Sequence, residues 1–300
     1  MLVLGCVSTF AVWSDSRKNG FDVSDSIIPV SEIHSGGPAK DGIPALDKPR
    51  FIAGHRADYL KDTDRVIGVD RNGEARAYPI AMLNWHEIVN DHIKGESIVI
   101  TFCPLCGTGM VFKTPGYTSF GVSGLLYNSD VLLYDRATDS LWSQIMKQAV
   151  AGKRVGEKLQ LIPASHTTWG AWRKRYPQSY VLSRETGFNR DYDRDPYAGY
   201  AQQRELYFPV SNNDSRYHPK EMVLAVSNER GAKSWPFQEL SRSASPLQSS
   251  WDGEPVTILF DAQARSGRII DADGEEIAST IGFWFAWMSF HPDSEVYTAR

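Results

Sequence analysis

Residues 64–83 read DRVIGVDRNGEARAYPIAML. Val66, Ile67 and Val69 are β-branched strand residues, and Asn72-Gly73 is a dipeptide that favours a two-residue hairpin turn. Residues 75–78 then return as a second strand. The continuation, IAMLNWHEIVND at 80–91, places apolar residues at Ile80, Leu83 and Ile88, with Trp85 and Val89 in partial support. That spacing predicts a short helix stopped near Gly95.

The same unit comes back. Residues 221–240 read EMVLAVSNERGAKSWPFQEL, again strand, turn, strand, aromatic-proline and helix start. GESIVITF at 95–102 is matched by GEPVTILF at 253–260, and TWGAWRKRYPQSYVLS at 168–183 by FWFAWMSFHPDSEVYT at 283–298. Three matches in one order point to an internal duplication. The expected fold is mixed α+β and β-rich, with two related modules whose short helices pack on antiparallel or mixed sheets. The boundaries read as an N-terminal segment (1–42), a first module with a long insertion (43–220) and a second, degenerate module (221–300), packed as one compact unit. Within the insertion, the polar, tyrosine-rich stretch 183–220 reads as a long ordered loop over one face.

At 300 residues, with 42% hydrophobic and 23% charged content, the chain can bury a full core without staples. Its 36 acidic and 32 basic residues form no long basic run, which argues against nucleic acid as a partner. No stretch reaches the length of a membrane span. Val3-Leu4-Gly5-Cys6 resembles a bacterial lipoprotein cleavage site that would need a longer leader upstream. A cell-envelope or secreted location, with peripheral lipid anchoring, follows as the expectation, and a cytoplasmic one as the alternative. Residues 1–13 otherwise read as a first strand or a tail.

Chemistry concentrates at 98–112, IVITFCPLCGTGMVF. Cys103 and Cys106 are two of three cysteines, too few for a disulfide framework. A Cys-x-x-Cys turn lets two sulfurs share a metal or bridge to each other. Pro104 removes a backbone donor and stiffens the turn, while Gly107 and Gly109 let the chain bend sharply. A thioredoxin-type site would be followed by a helix whose N-terminus acidifies the first thiol. Here a strand follows. A four-cysteine zinc site would need a second pair. The missing ligands must then be His, Asp or Met, and His86 is the first choice as third ligand or catalytic partner. His92 and Met110 are weaker ones. Copper or zinc would suit such a set. No dinucleotide fingerprint, P-loop or zincin helix occurs, and Ser123 sits in GVSGLL without the full nucleophile-elbow pattern.

AYPIAMLNWHEIVNDHIKGESIVITFCPLCGTGMVF, then FGVSGLLYNSDVLLYDRATDSLWSQ, VLSRETGFNRDYDRDPYAGY and DSRYHPKEMVLAV, resemble the bacterial and archaeal proteins grouped as domain of unknown function 3179. The likeness spans roughly residues 43–297. It implies that Tyr78, His86, Glu87, Asn90, Cys103, Cys106, Ser123, Asn128, Asp135, Trp142 and Gln144 matter. It imports no activity, and it favours an envelope location. The Gly-Thr-Gly after Cys106 departs from the more varied small residues common there. The functional expectation is a Cys-x-x-Cys metal or dithiol redox protein acting on a small molecule or a redox partner protein. Cys103, Cys106 and His86 would carry the chemistry, with Tyr78, Asn90, Ser123, Asn128, Asp135, Trp142 and Gln144 lining the site. The alternatives are a non-catalytic metal carrier and a ligand-binding module braced by a structural disulfide, so enzyme status stays open.

Overall fold

A computed structural model describes residues 16–114, 116 and 118–299. Cys6 and the lipoprotein-like segment lie outside them. The fold is β-rich α+β, with short helices set against antiparallel and mixed sheets. Asn72-Gly73 makes the expected turn, and Arg65–Arg71 pairs antiparallel with Glu74–Pro79. Ser165–Thr168 flanks the first of these strands, while Tyr180–Leu182 pairs parallel with the second and carries Phe51–Ala53 at the edge. In the C-terminal half Met222–Asn228 pairs with Gly231–Pro236, flanked by Thr280–Phe283 antiparallel and Glu295–Val296 parallel. Both halves thus share one strand order and one pattern of directions.

The likeness extends to side chains. Trp172 Nε1 donates to Ser179 Oγ at 2.8 Å, and Trp287 Nε1 to Ser294 Oγ at 2.9 Å. Tyr176 packs on Trp172 at 4.3 Å between ring centroids, and His291 on Trp287 at 4.2 Å. The helix Trp169–Arg175 starts on Thr168, whose Oγ1 accepts from the Ala171 N–H.

The first helix is shorter than expected. It covers Ile80–His86, and Ile88–Ile93 is a strand paired with Glu96–Cys103. Glu87 stops the helix with φ +57°, its N–H still bonded to Leu83 O at 2.7 Å. Over so few residues an apolar spacing fits helix and strand alike, and β-branched Ile88 and Val89 gain ladder bonds as strand. Asn90 therefore does not share a helix face with His86.

The hairpin Glu96–Cys103/Thr108–Lys113 joins the C-terminal half's sheet through Ile281 opposite Gly109. Val99, Cys103, Met110 and Phe112 face one core, and Ile98, Ile100, Phe102 and Val111 the other. A hairpin buried on both faces explains a continuous apolar run instead of an alternating one. A further sheet, ordered Gln148–Ala151, Leu141–Ser143, Asp130–Asp135, Phe120–Tyr127, Ile33–Ser35, covers the cysteine face. A four-stranded sheet from Leu247–Trp251 to Glu276–Ile277 holds the hairpin matching the cysteine one.

Candidate metal centre

Cys103 ends its strand on the Val99 face, and the Cys-Pro-Leu-Cys turn brings Cys106 back beside it. Gly107 closes the turn at φ +57°, with its N–H directed at Pro104 O at 3.4 Å. Both thiols are free, fully buried and directed at one acceptor, the Ser129 carbonyl. Cys106 Sγ lies 3.3 Å from it and Cys103 Sγ 3.6 Å.

The third group comes from the next hairpin. Phe120–Tyr127 turns into Asp130–Asp135 through Asn128 and Ser129, both at positive φ, as a two-residue hairpin turn requires. That turn delivers Asp130. The two Sγ atoms and an Asp130 carboxylate oxygen all lie within 4.8 Å of one another. Asp130 Oδ2 accepts from the Ile145 N–H at 3.1 Å, while Oδ1 is buried with no hydrogen-bond partner among the described residues. A buried carboxylate oxygen left unpaired is costly, and a cation beside two thiols would satisfy it.

The electrostatics agree. Burial pushes the Asp130 carboxyl up to about 7, while the Ile145 and Val131 N–H groups and the thiols pull partly back. Burial likewise raises both thiols, Cys106 the further, and the neighbouring Asp130 charge adds to this. Glu87, bent off the helix end, is pushed up to about 8 by burial and then by Asp130. Without a cation this pocket holds its protons. Burial raises the hydroxyls of Tyr197 and Tyr200, from the tyrosine-rich loop, and nearby charge adds to it, from Glu87 and Cys103 at Tyr197 and from Cys106 and Cys103 at Tyr200. A cleft of about 450 Å³ opens next to the turn, lined by Pro104, Gly107 and these two tyrosines.

The other residues singled out from sequence are distributed elsewhere. His86 is fully buried, with Nδ1 2.7 Å from Pro44 O and Nε2 2.7 Å from the Tyr192 hydroxyl. A carbonyl only accepts, so Nδ1 carries the proton and Nε2 accepts from Tyr192. Burial lowers its pKa, which fits that neutral ring. His86 is not among the three clustered groups, and Asp130 stands where a third ligand was sought. Tyr78 donates to Asp91 at 2.6 Å, and Asn90 bonds Asp47 and both polar atoms of the Phe120 backbone. Ser123 bonds Leu132 O and the Leu125 N–H across an irregularity in the strand. Asn128 accepts from the Ser211 N–H, and Asp135 accepts from Thr138 and from Trp142 Nε1. Trp142 shares the cysteine core, and Gln144 Nε2 donates to Thr101 Oγ1 at 2.7 Å, on the cysteine hairpin. Arg136 pairs with Asp41 at 2.8 Å and with Asp47 at 3.7 Å.

Sequence reasoning missed Asp130, Tyr197 and Tyr200 as site residues. Asp130 was legible only as an acid set directly before an apolar strand, and nothing local marked the tyrosines. No curated protein and no solved structure matches the chain. The family description that does match, a protein of unknown function, covers residues 40–294 and with them the whole cysteine and aspartate constellation, so the chain belongs to the DUF3179 family.

Proposed function

We propose that Cys103, Cys106 and Asp130 hold one zinc ion and that the protein is a zinc-dependent enzyme. The observation that carries this reading is the unpartnered, buried Asp130 Oδ1 beside two free thiols. Three protein donors leave a fourth position for water or substrate, which is how catalytic zinc sites differ from closed structural ones. The carboxylate favours zinc over copper(I), which prefers an all-sulfur shell. Zinc would stabilise the thiolates and carboxylate that the metal-free pocket keeps protonated, and Glu87 stands near enough to Asp130 to feel its charge.

Dithiol exchange is the weaker reading. It needs an accessible thiolate, and both thiols are buried with raised pKa values. The shared strand order of the halves supports descent from one module, with Asp261, Ala264 and Arg265 standing where the first copy has Cys103, Cys106 and Gly107. An envelope location is proposed on the Cys6 segment and the family resemblance.

The test is metal analysis of untagged protein. About one zinc per chain is expected, lost in Cys106→Ser and in Asp130→Asn. A metal-free protein with a Cys103–Cys106 disulfide would refute the reading, and one copper per chain would replace zinc by copper.

A further inference from the structure

The cleft beside the cysteine turn is lined from both halves of the chain. Arg65 and His166 come from the first, Arg265 from the second, with Asp195, Tyr200 and Lys220 from the tyrosine-rich loop. Its lining carries three cationic side chains, Arg65, Lys220 and Arg265, against one acid. Among the described residues, no carboxylate forms an ion pair with Arg65, Arg265 or Lys220. Arg65 spends its donors on the carbonyls of Ala264, His166 and Arg265. Lys220 gives its ammonium to the carbonyls of Gln203 and Glu205 and sits 4.2 Å over the Tyr200 ring. The Arg265 side chain is exposed and makes no hydrogen bond among the described residues. Asp195, the one lining acid, is occupied by Asn84 and the Tyr197 N–H.

Two buried polar atoms on this cleft also lack a hydrogen-bond partner of good geometry among the described residues. His166 Nδ1 has none, on a residue 6% exposed, and neither has the hydroxyl of Tyr200, 2% exposed. Backbone carbonyls orient a guanidinium but leave its full charge. Burial, and then the nearby Arg265, depress Arg65 to about 10. Two like charges held together are relieved by an anion between them. His166, kept neutral by burial and by Arg65, offers no further positive charge but can take part in a hydrogen bond.

We propose that this cleft binds a small organic oxyanion, a carboxylate or phosphate ester, through Arg65, Arg265 and Lys220, with His166 Nδ1 and the Tyr200 hydroxyl bonding its polar body. The assignment rests on residues outside the metal set and does not require the zinc reading. It names what would be presented beside that centre.

The test is calorimetric titration of the untagged full chain with benzoate, phenyl phosphate and neutral benzyl alcohol, before and after metal removal. Either anion, or both, binds and benzyl alcohol does not; the tighter one identifies the head group. Binding weakens with salt. Arg265→Gln, at an exposed side chain, leaves the melting temperature unchanged and weakens binding about tenfold or more. Binding survives metal removal. The proposal falls if benzyl alcohol binds as well as the anions, if neither anion binds at about 10 mM, or if Arg265→Gln binds like the parent. It falls too if binding vanishes with the metal, since the anion would then be a metal ligand.

Discussion

Phe283 donates its backbone N–H to the carbonyl of Cys106 at 2.8 Å, so the C-terminal half fastens the cysteine turn of the N-terminal half. The contact has a counterpart: Arg65, from the N-terminal half, donates to the Ala264 carbonyl in a turn of the C-terminal half. Each turn is fixed from across the molecule, which keeps Cys106 beside Asp130 before any ion arrives. Preformed donors lose less entropy on binding.

The tightness of that fastening predicts the behaviour of Gly107. A Cβ there would stand 2.8 Å from the Phe283 ring, and φ is +57°. Alanine adds roughly 1 kcal/mol of backbone strain and about 1–3 kcal/mol of overpacking. Gly107→Ala should therefore lose about 2–4 kcal/mol in urea denaturation. A variant as stable as the parent would mean that Phe283 does not hold the turn.

Asp130 makes a prediction of opposite sign in metal-free protein. Its folded pKa of about 7 exceeds the unfolded value near 3.8. The folded state then binds more protons between those values, so the stabilisation is complete below the unfolded pKa and is lost as pH rises through 7. Asn cannot ionise and keeps it. At pH 8 metal-free Asp130→Asn should be more stable than the parent, by up to about 4 kcal/mol. Near pH 4 the two should unfold alike. Excess zinc should invert the pH 8 order, because only the parent gains binding energy. Equal unfolding curves at pH 8 in chelator would refute a buried, destabilised carboxylate.

The Asn72-Gly73 hairpin and the paired cysteines were legible because local chemistry decides them. Asn72-Gly73 makes its turn wherever it sits, and Thr168 caps the helix beside it. The site's third member was not legible, since Asp130 reaches Cys103 only by stacking one sheet on another. His86 looked suitable on proximity in sequence alone, and folding gave both its nitrogens to Pro44 and Tyr192. The first helix was overread because Glu87 adopts a left-handed conformation that nothing in its side chain announces.

Two tyrosine-to-phenylalanine changes should separate structural from unspent hydroxyls. The Tyr78 hydroxyl donates at 2.6 Å to Asp91, which also pairs with Arg76 at 2.7 Å. Removing it leaves a buried carboxylate short of a donor and should cost about 1.5–3 kcal/mol. The Tyr200 hydroxyl makes no hydrogen bond of good geometry among the described residues, so Tyr200→Phe should change stability by less than about 0.5 kcal/mol. Parallel melting curves of the two variants check this, and a large loss in Tyr200→Phe would reveal a partner for that oxygen within the fold.

His291 provides the last test, and it joins the likeness of the two halves to a titration. Its ring lies on Trp287 as Tyr176 lies on Trp172, but its Nε2 is buried without a partner among the described residues. Burial, and then the Lys147 charge, lower its pKa to about 4. For a histidine depressed in this way the unfolded state binds more protons between about 4 and 6.5. Its contribution is present above pH 6.5 and is lost as pH falls through 4. The matching position in the other half shows which side chain the scaffold accepts without that liability. His291→Tyr should stack on Trp287, fold normally and unfold at pH 7 within about 1 kcal/mol of the parent. At pH 4 it should be the more stable protein by about 2–3 kcal/mol, the linkage energy of a shift of this size. Thermal melts at pH 7 and pH 4 read both numbers. A variant that loses stability equally at both values would show that the two stacking positions are not interchangeable.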